Sequence, residues 1–128
     1  MGRRLLALAI AATFTAHGLE ALAHHPRFCD LLLGAGRRLF DLRLAQSTAE
    51  AMLTAIGALD LAVAAALLLR PRPAVALWAA LWGMLTLTSR TLSLGPDFVH
   101  ESLLRSMNAA GPLALGLALL CSRRESTP

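Results

Sequence analysis

The chain alternates long apolar runs with short charged segments, and the lengths of the runs set the elements. Leu5 to Ala23, Ser47 to Leu69 and Ala74 to Leu94 each hold the ~20 residues that a helix needs to cross a bilayer core. A fourth run, Met107 to Cys121, is shorter and is interrupted by Gly111-Pro112. It reaches across if its helix starts near Leu103 or if the bilayer thins locally. The pattern predicts an all-α fold, an integral membrane four-helix bundle in one domain, with spans at about 5–23, 47–69, 74–94 and 104–121. Three spans are the alternative. Residues 27–45 place Phe28, Leu31, Leu32, Leu39, Leu42 and Leu44 among Arg37, Arg38, Asp41 and Arg43. This segment is too charged to span and suits the interface, broken at Gly34-Ala35-Gly36; a loop with one short surface helix fits equally.

The punctuation agrees with these boundaries. Ser47 or Thr48 can cap the second span, with Glu50 in its first turn where the helix dipole favours an anion. Ala58, Ala62 and Ala66 recur every four residues and offer a smooth face for close helix contact or self-association. Arg70-Pro-Arg-Pro73 ends that span in a tight turn. Trp78 and Trp82 open the third span as interfacial aromatics do. Gly95-Pro96 stops it, and Asp97 begins an amphipathic stretch that holds His100 and Glu101. Met1 to Ala23 also meets the outline of a signal peptide, with Arg3-Arg4 before the apolar run and Ala-Leu-Ala before His24. His17 and Glu20 sit where a signal peptide is bland, so an uncleaved first span is the expectation.

Those polar residues carry the candidate chemistry. Thr13, His17, Glu20 and His24 follow a 4-3-4 spacing and share one helix face. Asp60 lies mid-way along the second span, and Arg90 lies in the third beside the face of Trp82, Thr86, Ser89 and Ser93. Ionisable groups in hydrocarbon are costly unless they meet a partner or a water-filled cavity. At ~1.5 Å per residue, Glu20 and Arg90 come out roughly 22–24 Å from the starting side, and His17 and Asp60 roughly 14–18 Å. The expected pairs are therefore Glu20–Arg90 and His17–Asp60. They act either as register-fixing contacts or as a polar site opening to the outer face, lined by His17, Glu20, Asp60, Arg90, His24 and His100. Such a site suits a quinone headgroup, an anion or a proton relay. Imidazoles beside a carboxylate also suit a transition metal, but no HExxH is present and no metal is assigned.

Composition and charge narrow the class. In 128 residues the hydrophobic fraction is 56% and the net charge +4, more apolar than the ~45–50% of soluble domains. Every basic residue outside histidine is arginine, and none is clustered with stacking aromatics, which leaves nucleic-acid binding without support. Arg3-Arg4, Arg70, Arg72 and Arg123-Arg124 fall on one side of a four-span arrangement. The positive-inside rule makes that side, with both termini, cytoplasmic. Cys29 and Cys121 then lie on opposite sides, and no CxxC is present. No GxGxxG, P-loop or GxSxG motif occurs.

His17-Gly18-Leu19-Glu20-Ala21-Leu22, followed by Pro26-Arg27-Phe28, resembles the start of DoxX-like membrane proteins. Ile56-Gly57-Ala58-Leu59-Asp60-Leu61 is similar to the acidic, glycine-containing second helix of that family. Trp82-Gly83 with Ser89-Arg90 is similar to the third helix of some branches. The Arg-containing stretch after Phe28 and the short last span depart from the pattern. The resemblance implies a compact four-helix bundle in a bacterial inner membrane, associated with quinone-linked oxidation and with soluble or membrane oxidoreductases. His17, Glu20, Asp60 and Arg90 match the family's buried polar positions. The expected function is a redox-associated subunit that binds a quinone-like molecule or docks an oxidoreductase. His17 and Glu20 would exchange protons, Arg90 would hold an anionic oxygen and Asp60 would set the imidazole tautomer. A proton or solute transporter and a non-catalytic assembly subunit are the alternatives.

Overall fold

A computed structural model describes residues 2–125. Six α-helices follow one another: α1 (Gly2–Leu22), α2 (Pro26–Phe40), α3 (Gln46–Leu69), α4 (Pro73–Leu94), α5 (Val99–Leu104) and α6 (Met107–Glu125), with a 3-10 turn at Pro96–Phe98 before α5. No strand occurs among the described residues. By length and apolarity α1 and α3 are each able to cross a membrane. The 3-10 turn and α5 together with α6 pass as one further span, bent by 46° at Arg105-Ser106. α4, expected as the third span, is long enough but falls short of the apolarity of α1 and α3, because Trp78, Trp82, its Thr and Ser residues and Arg90 lower its mean hydropathy.

The helix ends depart in detail from the sequence expectations. α2 runs unbroken through Gly34-Ala35-Gly36. Those glycines instead admit neighbours: a Cβ on Gly34 would lie 3.3 Å from the Ser93 carbonyl oxygen, and one on Gly36 would lie 2.8 Å from Leu44 Cδ1. α3 starts at Gln46 after Ala45, so neither Ser47 nor Thr48 caps it, and no side chain bonds to its first amides. α1 closes with His24 in the left-handed conformation at φ 49°. The His25 amide donates to Glu20 O at 3.1 Å and the His24 amide to Ala21 O at 3.0 Å. This is the Schellman pattern, with histidine where glycine is usual.

Two tightly packed helix pairs form the body. α1 lies along α3, where a Cβ on Gly57 would come 2.7 Å from Gly18 O, so small residues set the approach. α4 lies along α6, where a Cβ on Gly83 would overlap the backbone carbonyl of Asn108. That carbonyl lacks its usual helical donor, because Pro112, four residues on, has no N–H. Gly83 therefore accommodates the gap that Pro112 leaves. The pairs meet in one core at one end, built from Ala7, Ile10, Ala11 and Phe14, Val63, Ala64 and Leu67, Ala76 and Ala79, and Leu115. Toward the other end they part, and α2 lies across the opening against α4 and α3. Ala21, Cys29 and Leu53 seal that end with Phe28, Leu32 and Ile56. The Ala58 and Ala62 positions face outward instead of into the core.

Candidate functional site

The parting of the two pairs leaves a cavity of about 280 Å³ under α2. Its apolar wall comes from Phe14 on α1, Leu53 and Ile56 on α3, and Phe28, Leu31, Leu32 and Leu39 on α2. α2 is strongly amphipathic because its leucines recur on one face, and that face is the roof. Ser93 fixes the roof by donating its hydroxyl to Leu31 O at 2.7 Å. The polar edge comes from Thr13 and His17 on α1, Asp60 on α3, and Trp82, Thr86, Ser89 and Arg90 on α4. Arg105 and Asn108 add to it from the bend before α6.

The charged groups are paired differently from the depth argument. Asp60, 5% exposed, accepts a 2.9 Å hydrogen bond from the Trp82 indole N–H, not from His17. Trp82 stacks on Trp78 with centroids 5.7 Å apart. Arg90 donates to Glu101 Oε2 at 2.8 Å, not to Glu20. The different pairing has one physical cause. Rise per residue gives depth along an axis but not the azimuth of each side chain, and the chain bend at Gly95 brings Glu101 back against α4. The same return lets Ser102 donate to Leu87 O at 2.7 Å, with Thr91 and Ser102 hydroxyls 2.8 Å apart. A buried carboxylate left without its donor would be costly, so these pairs hold the edge in place.

The remaining expected site residues separate. His17 lines the cavity, while Glu20 points away with its side chain 54% exposed. Their Nδ1 and Oε2 atoms lie 3.8 Å apart, close enough to pair when the imidazole is protonated. His24 does not line the cavity; its Nε2 bonds Thr54 Oγ1 at 2.8 Å. Thr54 Oγ1 already donates to Glu50 O, so Nε2 carries the proton in this contact. His100 is exposed, stacked on Phe98 and 3.1 Å from Asp97 O. Among the described residues no three His, Cys, Asp or Glu converge to hold a metal ion. Sequence reasoning missed Trp82 as a partner for Asp60, although it shares a face with Thr86 and Ser89. It also missed Arg105 and Asn108, which only the bend before α6 turns inward.

The arrangement can enclose a small, mostly apolar molecule and offer hydrogen bonds and positive charge to one edge of it. Comparison with models of known protein families, with curated proteins and with solved structures finds no match to this chain.

Proposed function

We propose that this chain is an integral membrane protein of DoxX-like type, a bundle of four spans (α1, α3, α4 and the bent α5–α6 unit) in a bacterial inner membrane with both termini cytoplasmic. Its function is to bind a quinone-like molecule in the cavity as a redox-associated subunit. The observation that carries this reading is the cavity itself, apolar on one wall and edged by polar groups on the other. Small-molecule sites have this composition, few polar groups set in an apolar enclosure. Outward-facing Leu5, Leu8, Leu19, Leu68, Leu69, Leu81 and Leu117, each 51–86% exposed, favour a lipid environment, since water would leave so large an apolar surface uncovered. A lipid-soluble ligand then reaches the cavity through the bilayer.

In this reading His17 meets the ligand oxygen, and Glu20, 3.8 Å behind it on the exposed side, exchanges the proton with the surroundings. Asp60 orients Trp82 and not the imidazole. Arg90, held by Glu101, contributes a fixed positive charge. The test is purification of the full chain from its native membrane, with organic extraction and measurement of bound quinone. Near-stoichiometric quinone, lost in His17→Ala, is the expected result. A ligand-free protein that also fails to bind added short-chain benzoquinone overturns the reading. Proton or solute flux through such a protein in proteoliposomes would favour transport instead.

A further inference from the structure

One group at the cavity is not accounted for by the pairs described above. Arg105 lines the cavity at the bend between α5 and α6, half-buried, and forms no ion pair within 4.0 Å among the described residues. Charges near it do not cancel. Arg90 and Arg27 act on it as like charges, and Glu101 and Glu20 as opposite ones. Glu101 is committed to Arg90 at 2.8 Å, and the exposed Glu20 lies 3.8 Å from His17 Nδ1. Three guanidinium groups thus stand against two carboxylates at this end, with the neutral or protonated His17 beside them. Asp60, the carboxylate that lines the cavity, sits at the level of Trp82, eight residues from Arg90 along α4, or ~12 Å at the rise of a helix. It already accepts the indole proton. The cavity is therefore polarised, with Arg105 unpaired at its α5–α6 end, Asp60 at the level of Trp82, and apolar side chains along the wall under α2.

A planar guanidinium facing a low-dielectric space is best satisfied by an oxyanion, which it can bind through two parallel hydrogen bonds. We infer that the cavity takes a compact lipophilic acid in its ionised form, the anionic oxygen on Arg105 and the apolar body under α2. This rests on the cavity being a ligand site and goes beyond the quinone reading, assigning to its Arg105 end a second class of ligand, one with a deprotonated headgroup. At about 280 Å³ the space is just under the ~300–1,000 Å³ usual for organic ligands. It admits a single chain or a ring system, not the paired acyl chains of a phospholipid. Asn108, one turn from Arg105 on the same edge, is placed to donate a second hydrogen bond to the headgroup.

The test uses the full chain carrying Trp78→Phe, which leaves Trp82 as the one tryptophan, in nanodiscs of phosphatidylcholine. A medium-chain fatty acid bearing a terminal bromine, which quenches tryptophan on contact, is titrated at a pH where it is ionised. Its methyl ester and a short-chain benzoquinone, itself a quencher, are titrated in parallel. Partitioning alone favours the ester, because an ionised headgroup enters the bilayer less readily. The expected result is half-maximal quenching by the acid at about tenfold lower concentration than by the ester, about 1.4 kcal/mol. Arg105→Gln should abolish the difference and Arg105→Lys should keep most of it, each variant checked for an unchanged melting temperature. Equal quenching by acid and ester, or a preference untouched by Arg105→Gln, overturns the inference. If the benzoquinone then still quenches saturably, the ligand-binding reading survives without the anionic headgroup. If no probe quenches saturably, both fall.

Discussion

At the scale of single residues, the polar side chains divide into those that hold the fold and those that face the cavity. Trp82 belongs to both classes, since its indole is the hydrogen-bond donor to the nearly buried Asp60. Trp82→Phe leaves that carboxylate unpaired, and a loss of about 1–3 kcal/mol is expected, read as a lower melting temperature in detergent. Trp78→Phe removes only a stacking neighbour and should cost clearly less. Asp60→Asn, which keeps an acceptor for the indole, should fall between the two. His24 gives the opposite expectation. It occupies a left-handed helix end where glycine carries no Cβ penalty. The gain there offsets the lost contact to Thr54, so His24→Gly should keep the melting temperature and ligand binding, and a drop in binding would restore His24 to the site. Polarity and spacing made His17, Asp60 and Arg90 visible as special in the sequence. Their partners were not visible, because a partner depends on azimuth and on chain reversals far along the chain.

At the scale of elements, close helix contact is decided by a few glycines and by one proline. Gly83 faces the Asn108 carbonyl that Pro112 leaves without a donor. A methyl group there has no room against backbone, so Gly83→Ala should separate α4 from α6. Loss of the folded fraction in size-exclusion chromatography, or a melting temperature lowered by many degrees, is the expected outcome. Gly111→Ala, whose Cβ would meet only Ile10 Cγ1 at 3.7 Å, is the matched control and should be tolerated. The bent α5–α6 unit is tied back by Arg90 and Glu101. A double-mutant cycle with Arg90→Gln and Glu101→Gln should return a coupling of about 1 kcal/mol or more, above that of exposed pairs, because Arg90 is largely buried. The helical pattern of α1, α3 and α4 was readable from run length and breakers. The continuity of α2 was not, because its glycines serve packing against Ser93 and Leu44 instead of ending the helix.

At the scale of the whole molecule, two close helix pairs diverge at one end and an amphipathic helix covers the gap. That plan predicts unequal reactivity of the two cysteines. Cys29, on the buried face of α2, is 2% exposed, and Cys121 is exposed on α6. A bulky maleimide should modify Cys121 in the folded protein and reach Cys29 only after denaturation. Under the proposed topology Cys121 should also resist a membrane-impermeant reagent in intact cells and react in inverted vesicles. Labelling from outside would reverse the orientation. Run lengths and breakers determined by themselves that the chain is helical, that α1 and α3 are apolar enough to span, and that His17, Asp60 and Arg90 lie within apolar runs. These properties are local: each follows from the composition of ~20 consecutive residues. The tertiary structure alone decided that Trp82 answers Asp60 and Glu101 answers Arg90, that α2 roofs a cavity, and that Arg105 is left as the unpaired cation in it. Those facts depend on how helices rotate and cross, and that is set by packing between residues distant in sequence.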